Sequence, residues 1–205
     1  MLVFINCPQK KIVVLWGNLC LNCHCSTVSR FTRLLVFHLT YFKIPMKIPK
    51  KVINRLPSPL KAFSKIALDQ KSRDVAEADT VTLVKDIMAD CFGYDKYSEL
   101  TSEHQIRGTF CDLAIKIDGR IQFLVEVKAA GIQLNESHIA QAVNYGANEG
   151  IEWVVLTNSI EWKLYRIKFT QPLSREEVTS FSLPELNLRS EDDLRRVFLL
   201  CREGL

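Results

Sequence analysis

The chain has 205 residues, of which 47% are hydrophobic, and a formal net charge of +4 at pH 7. This is enough chain to bury the core of one domain. The charge is uneven, because residues 1–65 carry eleven Lys or Arg and no Asp or Glu, whereas residues 66–205 carry sixteen basic and twenty-three acidic residues. The acidic part has no overall attraction for nucleic acid, so binding there requires a local basic patch or metal ions.

Residues 1–45 differ in composition from the rest and contain four of the seven cysteines. The spacing of Cys20, Cys23 and Cys25 suggests zinc, but a structural zinc site normally needs a second ligand pair, and none is suitably placed. The apolar runs of this segment are too short to span a bilayer, and we expect no membrane association. Because Met46 is a second plausible start, we expect residues 1–45 to be disordered or a spurious extension.

Residues 46–68 are basic and contain Pro49, Pro57 and Pro59. The prolines predict an extended arm from Lys47 to Leu60, followed by a short helix from Leu60 to Ala67. Such an arm either packs over the edge of the domain or contacts phosphates.

Residues 69–205 are predicted to form a single domain. Apolar side chains at helical spacing predict a helix from Asp74 to Phe92, with Gly93 as its stop. The residues before Thr109 are predicted to form a first strand, in which Arg107 either contacts a phosphate or makes a surface salt bridge.

The stretch from Phe110 to Lys128 predicts a β-hairpin around Asp118-Gly119. A two-residue loop would turn the apolar residues of the two arms to opposite sides, so the pattern predicts a three-residue loop with a G1 bulge at Gly119. One face would then carry all the apolar residues at odd-numbered positions, which are Leu113, Ile115, Ile117, Ile121, Phe123, Val125 and Val127. Asp112, Glu126 and Lys128 would gather on the other face.

A helix is predicted next, with Asn135 or Ser137 as its N-cap and Gly150 as its stop. Gln141 and Tyr145 are four residues apart and share one face of it. Two strands follow, which gives the order α-β-β-β-α-β-β. The predicted fold class is therefore α/β, with a mixed central sheet flanked by helices.

The C-terminal part is predicted to contain a short strand and a last helix with Ser190 as its N-cap. Cys91, Cys111 and Cys201 are isolated on apolar elements, which argues against disulfides and fits a reducing cytosol. We therefore expect a cytoplasmic protein.

Asp112, Glu126 and Lys128 suggest chemistry at one end of the hairpin. Magnesium takes oxygen ligands, commonly one or two carboxylates with waters and substrate phosphate. Such an ion lowers the pKa of bound water and stabilises charge at phosphorus, and a lysine beside it can orient the water or help deprotonate it. These are the parts of a metal-dependent phosphodiesterase, although Glu-x-Lys alone is usually an ordinary surface pair.

The ordered set Asp112, Glu126-x-Lys128 and Gln141-x-x-x-Tyr145, with the strands after it, resembles the PD-(D/E)xK nuclease superfamily in its RecB-like branch. More narrowly, it is similar to the N-terminal nuclease domain of type I restriction enzyme R subunits. The resemblance implies a restriction-endonuclease-like core. It also implies Mg²⁺, or Mn²⁺ in its place, as the cofactor, and DNA and subunits of a restriction or defence complex as partners.

The resemblance also implies individual roles. Asp112, Glu126 and the Val127 carbonyl would bind the metal, and Lys128 would act on the attacking water. An upstream helix of this fold often adds an acidic residue, for which Glu77 is the candidate and Asp79 an alternative. Gln141 and Tyr145, with Arg107, would position the substrate. In similar proteins more helix follows the last one, which leaves a truncated C-terminus open.

Two classes of function remain open. One is a Mg²⁺-dependent endonuclease, which the intact Asp112, Glu126 and Lys128 favour. The other is a non-catalytic module of the same fold that binds nucleic acid or a protein, which the acidic charge of the domain favours. No Gly-rich nucleotide site and no helicase motor is evident in the sequence. A third hypothesis is that the basic N-terminus tethers the domain to nucleic acid or an acidic membrane.

Overall fold

The computed structural model describes residues 4–7, 10–13, 47–106 and 109–205. The chain divides into two compact units, Met1–Pro45 and Met46–Leu205. Of the first unit, two strands are described, β1 (Phe4–Cys7) and β2 (Lys10–Val13), which pair antiparallel. The cysteines considered for zinc, and most of the segment expected to be disordered, lie outside the described residues.

The second unit combines helices with one large sheet. Its helices are α1 (Lys50–Arg55), α2 (Pro57–Ser72), α3 (Glu77–Asp90), α4 (Glu136–Glu149) and α5 (Glu191–Phe198), and short 3₁₀ turns span Leu183–Glu185 and Arg202–Gly204. Its strands are β3 (Leu100–Ile106), β4 (Thr109–Ile117), β5 (Arg120–Val127), β6 (Trp153–Thr157), β7 (Glu161–Lys168) and β8 (Ser174–Ser182).

The six strands lie in their chain order, β3-β4-β5-β6-β7-β8. All neighbours pair antiparallel except β5 and β6, which are parallel because α4 crosses over between them. The predicted α/β class with a mixed sheet flanked by helices is confirmed. No helix in the described part of the chain is long and apolar enough to cross a membrane.

Apolar cores cover both faces of the sheet. On one face, α1, α2, α3 and α5 enclose the larger core, whose fully buried members include Met88, Phe92, Phe123 and Trp162. On the other face, α4 packs a smaller core around Leu124. The sheet is therefore the middle of three layers, and its central strands are shielded from water on both sides.

The prediction of a three-residue loop in the hairpin is wrong. Ile117 pairs with Arg120, so the loop contains two residues, Asp118 and Gly119. Both have positive φ angles, 50° and 79°, which belong to the two-residue turn whose twist matches that of the strands.

A bulge inside the hairpin brings most apolar residues of the two strands to the same face, which the three-residue loop was predicted to do. Ile115 pairs with Phe123 but Lys116 pairs with Ile121, which leaves Gln122 as an extra residue. Ile121 consequently turns to the α4 side of the sheet. The other six apolar residues lie in the larger core, namely Leu113, Ile115, Ile117, Phe123, Val125 and Val127.

The extended conformation predicted from Lys47 to Leu60 is also wrong, because α1 and the first turn of α2 occupy this segment. The short helix predicted from Leu60 to Ala67 lies within α2. Pro57 and Pro59 fall in the first turn of α2, where a missing N–H costs no helical hydrogen bond. Val52, Leu56 and Leu60 are buried in the larger core, so the segment is part of the packed domain.

The ends of the helices follow the predicted chemistry. Asn135 caps α4 by accepting hydrogen bonds from the N–H groups of Ser137 and His138, and Gly150 ends it with a φ of 70°. The Ser190 hydroxyl caps α5 by accepting from the N–H of Asp193. These polar caps supply partners for backbone groups that the helices leave unpaired.

Candidate metal and catalytic site

Two carboxylates lie on the neighbouring strands β4 and β5. Leu113 pairs with Val125, so the antiparallel register sets Asp112 opposite Glu126. Glu126 also pairs with Leu156 of β6, so its strand is flanked on both sides. The middle of the sheet therefore holds the Glu126 carboxylate rigidly and away from water.

Asp112 contacts the backbone of the opposite strand. Its Oδ2 accepts a hydrogen bond of 2.7 Å from the N–H of Val127. The N–H and C=O of one strand residue point to the same neighbouring strand, so the Val127 carbonyl is directed to the Asp112 side as well. The N–H of Lys128 donates instead to the Thr157 carbonyl on β6, at 2.8 Å.

The Glu126 carboxylate is deeply buried, with 2% of the residue exposed. Its Oε1 lies 2.5 Å from Lys128 Nζ, while its Oε2 is buried and accepts no hydrogen bond from the described part of the chain. Burial raises the pKa of Glu126 to about 7; the hydrogen bond from Lys128 opposes this shift and the charge of Asp112 adds to it. A buried carboxylate oxygen with no donor is costly, and a bound cation would remove that cost.

Lys128 follows directly after β5, and 13% of its side chain is exposed. Its Nζ lies 2.5 Å from Glu126 Oε1 and 3.8 Å from Glu77 Oε2. Burial acts to lower the pKa of Lys128, but the hydrogen bond and charge of Glu126, with the charges of Glu77 and Asp112, raise it overall. Lys128 is thus the cation at the centre of three carboxylates.

Glu77 is the first residue of α3, and its side chain is 47% exposed. Its position at a helix N-terminus favours a negative charge there. The structure therefore places Glu77, the additional acidic residue that the resemblance suggested, 3.8 Å from Lys128. Among the described residues, however, no group of three His, Cys, Asp or Glu side chains is arranged to hold a metal ion.

Gln141 and Tyr145 share one face of α4, as predicted from their spacing. Gln141 Nε2 donates a hydrogen bond of 3.0 Å to Tyr145 Oη, and both side chains are half-buried. Tyr145 packs against the smaller core. Arg107, the third residue expected to position a substrate, lies outside the described residues.

Two buried polar residues that the sequence analysis missed support the segment after Lys128. The Thr80 hydroxyl, on α3, accepts a hydrogen bond of 3.1 Å from the N–H of Ala130. Asn158 Nδ2 donates to the Ile132 carbonyl at 2.8 Å. Thr80 occupies a position on the apolar side of the helix pattern and is buried. A polar side chain at such a position needs a hydrogen-bond partner, and this could have identified Thr80 from the sequence.

The donor set fits a hard divalent cation. Magnesium is commonly bound by one or two carboxylates and completes its octahedron with water and substrate phosphate. Asp112 and Glu126 would supply the carboxylates and Val127 a carbonyl, and Glu126 Oε2 has no other partner among the described residues. Softer ligands are not part of this set, since Cys111 is buried and burial raises the pKa of its thiol to about 12.

A family model matches residues 87–181, slightly under half of the chain, and its description is type I restriction enzyme R protein N terminus. The matched segment resembles that N terminus. This supports the narrower of the two resemblances drawn from the motifs, that to the N-terminal domain of type I restriction enzyme R subunits. No curated protein and no solved structure gives a significant match to the chain.

The match to the type I restriction enzyme R protein N terminus includes most of the candidate site. Asp112, Glu126, Lys128, Gln141 and Tyr145 all fall inside it. Glu77 falls outside, so its place in the site rests on the distance to Lys128 and not on the family match. The first two helices and α5 also lie beyond the matched residues.

Proposed function

We propose that this chain is a metal-dependent nuclease of the PD-(D/E)xK superfamily, in its RecB-like branch, that hydrolyses phosphodiester bonds of DNA. The observation that carries the proposal is the buried Glu126 carboxylate, which has one oxygen on Lys128 and the other without a donor from the described residues, opposite Asp112. A buried carboxylate oxygen without a donor lowers the stability of a scaffold, whereas a bound cation would offset that cost. The match to the type I restriction enzyme R protein N terminus supports the same conclusion.

In this proposal, Asp112, Glu126 and the Val127 carbonyl hold Mg²⁺, with Mn²⁺ as a substitute. The ion, when bound, lowers the pKa of a water and stabilises negative charge that develops on the phosphate. The hydrogen bond from the Val127 N–H fixes the Asp112 carboxylate in orientation. The sheet fixes Glu126 on both sides, so neither carboxylate has to reorganise when the cation enters.

Lys128 has the role of orienting the attacking water and stabilising the charge on phosphorus. As the cationic partner of Glu126 it is a hydrogen-bond donor, which suits orientation better than removal of a proton. Glu77, 3.8 Å away, helps to keep the ammonium group in place. Gln141 and Tyr145, joined by their hydrogen bond, position the substrate backbone, together with Arg107.

A non-catalytic module of the same fold is the second candidate. Two observations favour it: the lack of a three-residue metal cluster among the described residues, and the excess of acidic over basic residues in residues 66–205. In this case the domain binds nucleic acid or another subunit of a restriction or defence complex, and the site is a structural remnant.

Cleavage of DNA separates the two candidates. Labelled linear and circular duplexes are incubated with Mg²⁺ or Mn²⁺ and the parent chain, Glu126→Gln or Lys128→Ala. Glu149→Gln is the matched control, because Glu149 is an exposed carboxylate at the end of α4 that forms no ion pair with a described residue. Metal-dependent cutting that both site variants abolish and the control retains supports the nuclease. Cutting that persists in Glu126→Gln would refute the assigned site.

A further inference from the structure

The segment that forms α1 and α2 concentrates the positive charge of its unit. Residues 47–72 carry seven Lys or Arg and one acidic residue, Asp69, whereas residues 73–205 carry fifteen basic and twenty-two acidic residues. Charge of one sign on one surface produces a field that attracts an oppositely charged polymer. Lys51 and Arg55 pair with Glu203, so the positive charge of this segment that has no acidic partner among the described residues lies at its start and on α2.

Lys61 and Lys65 stand on the outer face of α2. They are four residues apart, so their side chains are neighbours on the helix, and both are exposed. Neither forms an ion pair with any described residue. Asp69, which lies four residues after Lys65, forms an ion pair with Arg73 instead, at 2.8 Å. Two neighbouring cations without an acid between them repel each other, and bound phosphates relieve that repulsion.

The far end of α2 approaches the candidate site. Asp74 lies two residues after the end of α2 at Ser72. Its side chain is close to Gly131, because a Cβ added to that glycine would lie 3.0 Å from Asp74 Oδ1. Gly131 is three residues beyond Lys128, so the segment after α2 touches the segment that follows the candidate catalytic lysine. Lys71, also exposed, sits at this end. Lys61 and Lys71 are ten residues apart, so about 15 Å of helix separates them, which is slightly under half of one helical turn of duplex DNA.

We propose that the face of α2 that carries Lys61 and Lys65 binds the phosphate backbone of duplex DNA and holds it beside the Glu126–Lys128 site. The choice of DNA as the ligand rests on the proposed function, while the surface itself is assigned from charge and exposure. This surface supplies the local positive field that the acidic remainder of the unit lacks. Its contacts fix the position of the duplex and carry no information about base sequence.

An acidic membrane is a less suitable ligand for this surface. Ile66 and Leu68 are exposed beside the lysines, at 43% and 48%, which gives α2 some apolar character on the outside. However, Ile66 lines a groove between α2 and α3, and the main apolar side of α2, at Leu60 and Ala67, is already packed in the core. The helix thus has no broad apolar face left to enter lipid.

The test measures DNA binding in EDTA, where cleavage cannot occur, so that its outcome does not depend on nuclease activity. Anisotropy of a fluorescein-labelled 30-base-pair duplex is followed from 50 to 200 mM KCl for the full chain and for Lys61→Ala/Lys65→Ala. The control is Lys116→Ala/Arg120→Ala, which removes the same charge from exposed residues at the hairpin turn, at the other end of β5. Equal melting temperatures show that all three proteins are folded.

We expect the α2 variant to bind at least about tenfold more weakly at 50 mM KCl and to lose about 1.8 from the slope of log K against log salt, whereas the control changes by less than twofold. Equal losses in the two variants, or unchanged binding by the α2 variant, would overturn the proposal. So would a parent chain that does not bind the duplex but binds vesicles containing phosphatidylserine. If the parent binds DNA through α2 but cuts no DNA with added metal, the result would support α2 as a DNA-binding surface and would contradict the proposed nuclease activity.

Discussion

Lys128 Nζ and Glu126 Oε1 lie 2.5 Å apart at a point where the glutamate is almost completely removed from solvent. The pair neutralises one carboxylate oxygen and leaves Oε2 without a donor from the described residues. Removing a charge from water without complete pairing is unfavourable. Burial of the Glu126 carboxylate therefore lowers the stability of the fold, and this loss should be measurable.

The first prediction concerns the pH dependence of stability without metal. The pKa of Glu126 is raised to about 7 in the folded chain by burial, against 4.5 for the ordinary carboxyl. Between these values the folded state binds more protons than the unfolded state, so this group lowers the free energy of unfolding as pH rises from about 4.5 to 7. The effect is at most about 3 kcal/mol.

Glu126→Gln removes that titration. In urea melts with EDTA at pH 5 and pH 8, the parent should lose more stability over this interval than Glu126→Gln does. Groups distant from Glu126 titrate equally in both proteins, so the difference between their two losses reports on Glu126 and the charges coupled to it. Identical pH profiles would show that Glu126 has an ordinary pKa and that its burial is not costly.

The second prediction concerns the hydrogen bond between Thr80 and Ala130. Thr80→Val keeps the shape of the buried side chain but leaves the Ala130 N–H without its acceptor, which should cost about 1–2 kcal/mol of stability. Because Ala130 is two residues after Lys128, the rate of DNA cleavage at saturating substrate should fall as well. Thr80→Ser, which restores the hydroxyl, should recover the rate although it loses a buried methyl group. If Thr80→Ser is as slow as Thr80→Val, packing and not the hydrogen bond positions the site.

The third prediction concerns the pair between Arg55 and Glu203, which ties α1 to the last residues of the chain. Arg55 Nη1 and Nη2 donate to the two Glu203 oxygens at 2.8 and 2.9 Å, and Arg55 also donates to the carbonyls of Cys91 and Phe92. The hydrogen bond from Arg55 lowers the pKa of Glu203 to about 2. Arg55→Met should therefore destabilise the fold by about 2 kcal/mol in urea melts at pH 7.

Asn54→Ala is the matched control for Arg55→Met, because Asn54 is the exposed neighbour on the same helix. The stabilisation from Glu203 is present above pH 4.5 and is lost as pH falls towards 2, so the difference between the two variants should shrink in acid. It should not vanish, because the hydrogen bonds from Arg55 to the carbonyls of Cys91 and Phe92 do not titrate. A loss of stability in Arg55→Met that is no larger than in Asn54→Ala would mean that α1 is a loosely attached arm after all.

The hairpin illustrates what the sequence could predict and what it could not. The alternation from Leu113 to Val127 correctly predicted two strands and the core face of most residues. It could not locate the extra residue, because a three-residue turn and a bulge at Gln122 both restore the parity. Only the packing of Ile121 against the α4 side distinguishes them, and that depends on residues distant in the chain.

The extended conformation predicted from the prolines of the basic segment was also wrong because contacts between distant residues decide the structure. Proline favours an extended chain in isolation, but Pro57 and Pro59 fall in the first turn of α2, where proline is tolerated. The burial of Val52 and Leu56, and the pairing of Arg55 with a residue 148 positions away, decide the outcome. Such contacts between distant residues override local preference and are not visible in a local pattern.

For the candidate site, the alternation of the hairpin predicted that Asp112, Glu126 and Lys128 lie close together, and the resemblance suggested Glu77. Neither predicted that Glu126 would be 2% exposed or that one of its oxygens would lack a partner among the described residues. Burial of a charged residue is decided by the strands on both sides of it. It therefore became visible only with the parallel pairing of β5 and β6.

The most direct test of the account is binding of Mn²⁺ to the EDTA-stripped chain, followed by calorimetry at pH 8. This measurement does not depend on finding the right DNA substrate, and it addresses the central claim that Asp112 and Glu126 form a cation site. We predict one site per chain that is lost in Glu126→Gln, weakened in Asp112→Asn and retained in Glu149→Gln. Absence of binding by the parent, or equal binding by Glu126→Gln, would contradict the account.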